Sequence, residues 1–105
     1  MPNESTLQLS SVEALLVGVD FSPQIHDTDT IVSSNLRGAT EIKILDSEGV
    51  DKTGDMLDAG SFNIVGNIVQ GLIHDCERYN TYKMYFRAAI SVGNYLEKYI
   101  TIECS

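Results

Sequence analysis

At 105 residues with 43% hydrophobic and 21% charged content, the chain suits one globular domain and falls outside the disordered and fibrous classes. Seven basic residues against fifteen acidic ones leave a formal charge of −8, which repels phosphate backbones and anionic lipid, so neither nucleic acid nor membrane is an expected partner. Two cysteines are sparse for a secreted scaffold built on disulfides, and both are expected to be reduced.

Residues 1–11 are polar and without periodicity and are expected to form a flexible arm, with the folded domain over 12–105. The N-terminus lacks basic residues, and the longest apolar run, Ala14 to Val19, is too short to span a bilayer, so the expected origin is a cytoplasm. Val12 to Phe21 reads as a first strand with Leu15, Val17, Val19 and Phe21 on one face, stopped by Pro23. A second strand is expected within Asp27 to Ser34, followed by a turn over Asn35 to Gly38.

Glu41 to Leu45 alternates charge with isoleucine, directing Ile42 and Ile44 inward, and Asp46-Ser47-Glu48-Gly49 supplies turn chemistry after it. Asp51 to Gly60 reads as an acidic loop with a short edge strand near Met56-Leu57. Phe62 to Ile73 reads as one or two strands interrupted at Gly66-Asn67.

The longest signal runs from Tyr79 to Cys104. Tyr82, Met84, Phe86, Ala88 and Ile90 alternate with residues that include Lys83 and Arg87, which is the period of a half-buried strand. Gly93-Asn94 marks a turn, and Ile100, Ile102 and Cys104 then alternate with Tyr99, Thr101 and Glu103. Helical periodicity is poor throughout, and strand candidates recur about every ten residues. The expected fold is all-β, an immunoglobulin-like two-sheet antiparallel β-sandwich of about seven strands.

Catalytic groups are not expected. His74-x-Cys76 is the only local thiol–imidazole candidate, and no oxyanion site or nucleophile elbow accompanies it. The histidines and separated cysteines do not have zinc-finger spacing, and no glycine loop fits a phosphate, so no cofactor is expected. Asp27 and Asp29, with Asp20 nearby, are weak candidates for calcium because carboxylates are the hard oxygen ligands it takes. Asp51, Asp55 and Asp58 form a second acidic patch without EF-hand spacing.

Tyr79, Tyr85, Tyr95 and Tyr99 project from the outer face or ends of the last hairpin. Exposed tyrosines on a flat sheet suit protein–protein contact or ordinary cross-strand pairing. The expected interaction surface is Tyr85, Arg87, Tyr95 and Tyr99.

Asp20-Phe21-Ser22, Asp29-Thr30-Ile31 with Ser33-Ser34, the isolated Tyr82 before alternating residues, Ser91 and Gly93, Glu97, and the closing Ile100-Thr101-Ile102 together resemble a group of small proteins. These are immunoglobulin-like, non-enzymatic proteins encoded among the virion genes of tailed bacteriophages and prophages, and the resemblance spans roughly residues 18 to 104. It implies a structural or interaction module that docks onto other virion proteins, assembled in the host bacterial cytoplasm and carried on the virion. The second reading is a carbohydrate- or cell-surface-binding module, calcium-dependent in one form, with contacts from the loops holding Asp27, Asp29 and Asp51 to Asp58. Self-association into a homo-oligomer is compatible with either.

Overall fold

The computed structural model describes residues 6–26 and 28–105. Ten strands occur among them: β1 (Thr6–Leu9), β2 (Leu15–Asp20), β3 (Ile31–Val32), β4 (Ser34–Asn35), β5 (Gly38–Ala39), β6 (Glu41–Asp46), β7 (Asn63–Val65), β8 (Ile68–Ile73), β9 (Thr81–Ile90) and β10 (Tyr95–Cys104). One helical turn, α1 (Thr53–Met56), and 3-10 turns at Ser22–Gln24 and Ala59–Ser61 complete the elements. The protein is mostly β, and strand content exceeds the expectation because short ladders form where loops were expected.

The β9–β10 hairpin is the frame. Its antiparallel register runs from Tyr95 opposite Ala89 to Glu103 opposite Thr81. The Ile90 N–H donates to the Asn94 carbonyl and the Gly93 N–H to the Ile90 carbonyl, closing the turn. Gly93 sits at φ 106°, where a Cβ is strained. Tyr82, Met84, Phe86, Ala88 and Ile90 are all buried, as the period-two pattern requires.

Around that frame, a five-stranded sheet runs β1-β10-β9-β3, with β6 also pairing with β9. A three-stranded sheet runs β2-β8-β7, and β4 pairs with β5 as a separate hairpin. Val17, Val69 and Ile73 from the second sheet, with Phe21 just past β2, join Ile42, Ile44, Met84, Phe86 and Ile102 from the first in one core. Full burial of each such side chain contributes roughly 1.5–3 kcal/mol, so this shared core is the main source of stability.

Two positions show how closely these layers approach. A Cβ on Gly71 would stand 2.7 Å from Leu57 Cδ1 and 3.0 Å from Ile42 Cδ1, so glycine lets both side chains cross β8 in their present positions. Thr40 is the one buried polar residue of the described chain. Its hydroxyl donates to the Val32 carbonyl at 2.6 Å and accepts the Ala89 N–H at 2.8 Å, so no buried group there lacks a partner.

Several expectations need correction. Within the supposed arm, Thr6–Leu9 is a strand pairing parallel with Thr101–Cys104, and Leu9 is only 1% exposed. One apolar anchor and a partner far along the chain are enough to order it, although four residues carry too little pattern to reveal it. Residues 1–5 lie outside the described residues. That parallel pairing also makes the larger sheet mixed rather than antiparallel.

The second strand contracts to Ile31–Val32, the only described residues of its segment that pair with β9. Met56 belongs to α1 and is buried, while Leu57 makes an isolated bridge to Ile73 in place of an edge strand. The expected first strand begins at Leu15 rather than Val12, whose side chain is exposed.

The cysteines are not reduced: Cys76 and Cys104 form a disulfide with their Cα atoms 5.9 Å apart. β10 returns its last residues to the segment before β9, where the Tyr79 N–H donates to the Cys104 carbonyl and the Cys104 N–H to the Asn80 carbonyl. These bonds hold the two backbones at bridging distance. Cys104 remains a small buried residue near the chain end, as expected.

Candidate interaction face

The outer surface of β6, β9 and β10 is built in rows by strand register. Glu41, Arg87 and Glu97 form one row; Lys43, Tyr85 and Tyr99 form the next; Leu45, Lys83 and Thr101 form the third. Strand neighbours stand about 4.8 Å apart, so each row is a line of touching side chains.

All four residues of the expected surface meet here. The Tyr85 and Tyr99 rings lie 5.5 Å apart at 38°, and Lys83 Nζ sits 5.0 Å from the centre of the Tyr99 ring. Tyr95 is diagonal to Arg87, and the guanidinium carbon lies 4.0 Å from the centre of its ring. Arg87 is held loosely from both sides, its Nη1 3.8 Å from a Glu41 carboxylate oxygen and its Nε 4.0 Å from one of Glu97. The buried Nε has no hydrogen-bond partner among the described residues.

Glu41, Lys43, Leu45 and Glu97 were not expected at this surface, yet they join Tyr85 and Arg87 in lining an open depression of about 230 Å³. Their signal was the alternation of β6 and β10. What the sequence lacked was the register that sets these residues beside Tyr85 and Arg87. Tyr79 stands apart, in a left-handed conformation at φ 70° with Arg78 over its ring.

The other candidates are dispersed. The Asp29 N–H donates to the His26 carbonyl, and Asp27 lies outside the described residues. Asp20 accepts the Ser22 N–H at 2.9 Å, and hydrogen bonding from Ser22, side chain and then backbone, holds its carboxyl below the usual value. Asp51 is lowered in the same way by the Thr53 hydroxyl, at 2.6 Å, and the Thr53 N–H. Asp58 accepts the Gly60 N–H. The carboxylates of Asp20, Asp51 and Asp58 serve turns, and among the described residues no cluster of three or more His, Cys, Asp or Glu side chains is arranged to hold a metal.

His74 Nδ1 lies 2.9 Å from an Asp75 carboxylate oxygen, while the sulfur of Cys76 is bonded to that of Cys104. With the bond closed there is no thiolate for His74 to activate. No family model, curated protein or solved structure matches the chain.

Proposed function

We propose that this protein is a non-enzymatic immunoglobulin-like β-sandwich that acts by protein–protein docking as a structural module of a tailed-phage or prophage particle. Its docking surface is the outer face of β6, β9 and β10. The observation that carries this reading is the cluster of Tyr85, Tyr99, Tyr95 and Arg87, stacked into a preset aromatic face. Tyrosine and arginine bury large area at low entropic cost and are enriched at binding hot spots.

Charge supports the same surface. Lys43, Lys83 and Arg87 stand on it against Glu41, Glu97 and Glu103, so the face is balanced on a chain of net charge −8. An acidic virion protein would be repelled elsewhere and tolerated here.

The shared core of two sheets supports the sandwich architecture, and the motifs from Asp20 to Ile102 support the virion context. The disulfide fits the particle's life outside the cell, where such bonds persist, and would close only after the particle leaves a bacterial cytoplasm that keeps thiols reduced.

The test is a Tyr85→Ala/Tyr99→Ala double variant expressed during particle assembly. The expected outcome is a folded protein with reduced incorporation into particles. Normal levels in purified particles would remove this face from consideration. A rise in melting midpoint with calcium, or retention by a glycan array, would favour the carbohydrate-binding reading instead.

A further inference from the structure

β2 is the outermost strand of the three-stranded sheet, and among the described residues no strand pairs with its outer edge. Its ladder to β8 runs unbroken from Leu15 opposite Ile73 to Asp20 opposite Ile68. The Phe21 N–H, one residue further, donates to the Asn67 carbonyl at 2.8 Å. Backbone groups alternate sides along a strand, so Leu15, Val17 and Val19 direct theirs to β8, while Leu16, Gly18 and Asp20 direct theirs outward. In agreement with that parity, the Asp20 carbonyl turns away from β8 and accepts from Lys98 Nζ at 3.4 Å.

Natural edge strands are usually blunted by a charge, a proline or a bulge. β2 has no proline and no bulge, carries its one charge at the last residue, Asp20, and leaves Leu16 55% exposed. We propose that β2 pairs antiparallel with β2 of a second copy of this chain, about a twofold axis through Val17.

Identical antiparallel strands exchange hydrogen bonds only when outward-pointing residues face one another, which requires the twofold axis to pass through a residue. Val17 and Gly18 are the central choices. An axis through Gly18 sets Leu16 against Asp20 of the other copy and competes with Lys98 for the Asp20 carbonyl. An axis through Val17 sets Leu16 against Gly18 of the other copy, twice over, and uses only groups that have no partner among the described residues.

Side chains favour the same register. Each exposed Leu16 then lies over a residue without a side chain. Ile68 Cγ2 and Gln70 Cβ, both 3.2 Å from where a Gly18 Cβ would stand, provide its floor. Two molecules of charge −8 repel, and a contact through five uncharged residues places no like charges opposite each other. The result is a six-stranded sheet across the dimer, on a different surface from the tyrosine face.

Sedimentation velocity over a concentration series, paired with amide hydrogen exchange at high and low concentration, tests this. The wild type is expected to show a monomer–dimer equilibrium, with Leu16 and Gly18 amides slowed as concentration rises. Leu16→Lys should keep the melting curve and weaken dimerisation on the order of a hundredfold, because the leucine is covered twice per dimer. Tyr85→Ala/Tyr99→Ala should dimerise like wild type, so failure of the docking surface and failure of this edge read out separately. A wild type that stays monomeric up to about 1 mM, a regime of only some −4 kcal/mol, overturns the proposal. So does a dimer that survives Leu16→Lys, or one whose Leu16 and Gly18 amides exchange as fast as in the monomer.

Discussion

The central carbon of the Arg87 guanidinium lies 4.0 Å from the centre of the Tyr95 ring, and this contact joins β9 to β10 on the face proposed for docking. Both side chains are partly open to solvent, where a cation–π pair contributes about 0.5–1 kcal/mol and loose ion pairs with Glu41 and Glu97 add little. Arg87→Ala should therefore lower stability by about 1 kcal/mol or less, a few degrees in melting temperature for a domain of this size. Incorporation into particles should fall much further. A large loss of stability in a chemical-denaturation curve would mean that Arg87 is structural.

Thr40 works differently, because it is buried. Its hydroxyl satisfies the Ala89 N–H and the Val32 carbonyl at once, tying the end of β3 to β9. Thr40→Val keeps the shape and leaves two buried backbone groups unpaired, at about 1–3 kcal/mol. Thr40→Ser should recover most of that. Equilibrium urea unfolding of the two variants measures the difference, and equal midpoints would show that water or backbone movement replaces the hydroxyl.

How much of this was legible follows from range. The core face of β9, Tyr82 through Ile90, was readable because period-two alternation is a local property of ten residues. The Asp46 turn was readable for the same reason, and its carboxylate accepts the Glu48 and Val50 N–H groups. The four tyrosine and arginine residues of the face were found by parity within one hairpin. Glu41 and Lys43 were missed because their place depends on the register of a strand some forty residues away. Leu9 and Cys76 were missed likewise, since each is ordered by the far end of β10.

Cys76 and Cys104 are 28 residues apart, and closing a loop of that length in the unfolded chain is worth about 3–4 kcal/mol on the chain-entropy account. The bond also pins the end of β10 against which β1 pairs. A reductant should lower the thermal midpoint, and Cys76→Ala/Cys104→Ala should match the reduced protein. Hydrogen exchange should show the loosening first in Thr6 to Leu9. Identical midpoints with and without reductant would contradict the stabilising role.

At Gly71 the test is steric. Gly71→Ala places a methyl 2.7 Å from Leu57 Cδ1, closer than the neighbour tolerates without moving. Both facing atoms are side-chain ends that can swing aside, so the loss should sit near the low end of the roughly 1–3 kcal/mol that overpacking costs. Leu57→Ala in the same chain removes the obstructing methyl, so the double variant should be less destabilised than the two single losses added together. Strict additivity in a double-mutant cycle would show that the damage at Gly71 arises from backbone strain instead.

The last prediction concerns acid. Asp51 is lowered from its ordinary 3.8 by the Thr53 hydroxyl and then the Thr53 N–H, bonds that set the turn leading into α1. A carboxyl whose folded value is depressed binds its proton more readily in the unfolded chain, so stability rises with pH through this range. Its contribution is present above about 3.8 and disappears as pH falls through the lower folded value. Asp51 is exposed, so solvent screening keeps the effect small. The Thr53 hydroxyl also accepts the Ile44 N–H at 2.8 Å, which links the carboxylate to the outer edge of β6. Asp51→Asn should flatten the acid limb of a stability-against-pH curve by lowering the neutral plateau by the same small amount. An acid limb as steep as that of the wild type would show that other carboxylates, Asp20 first among them, set the response.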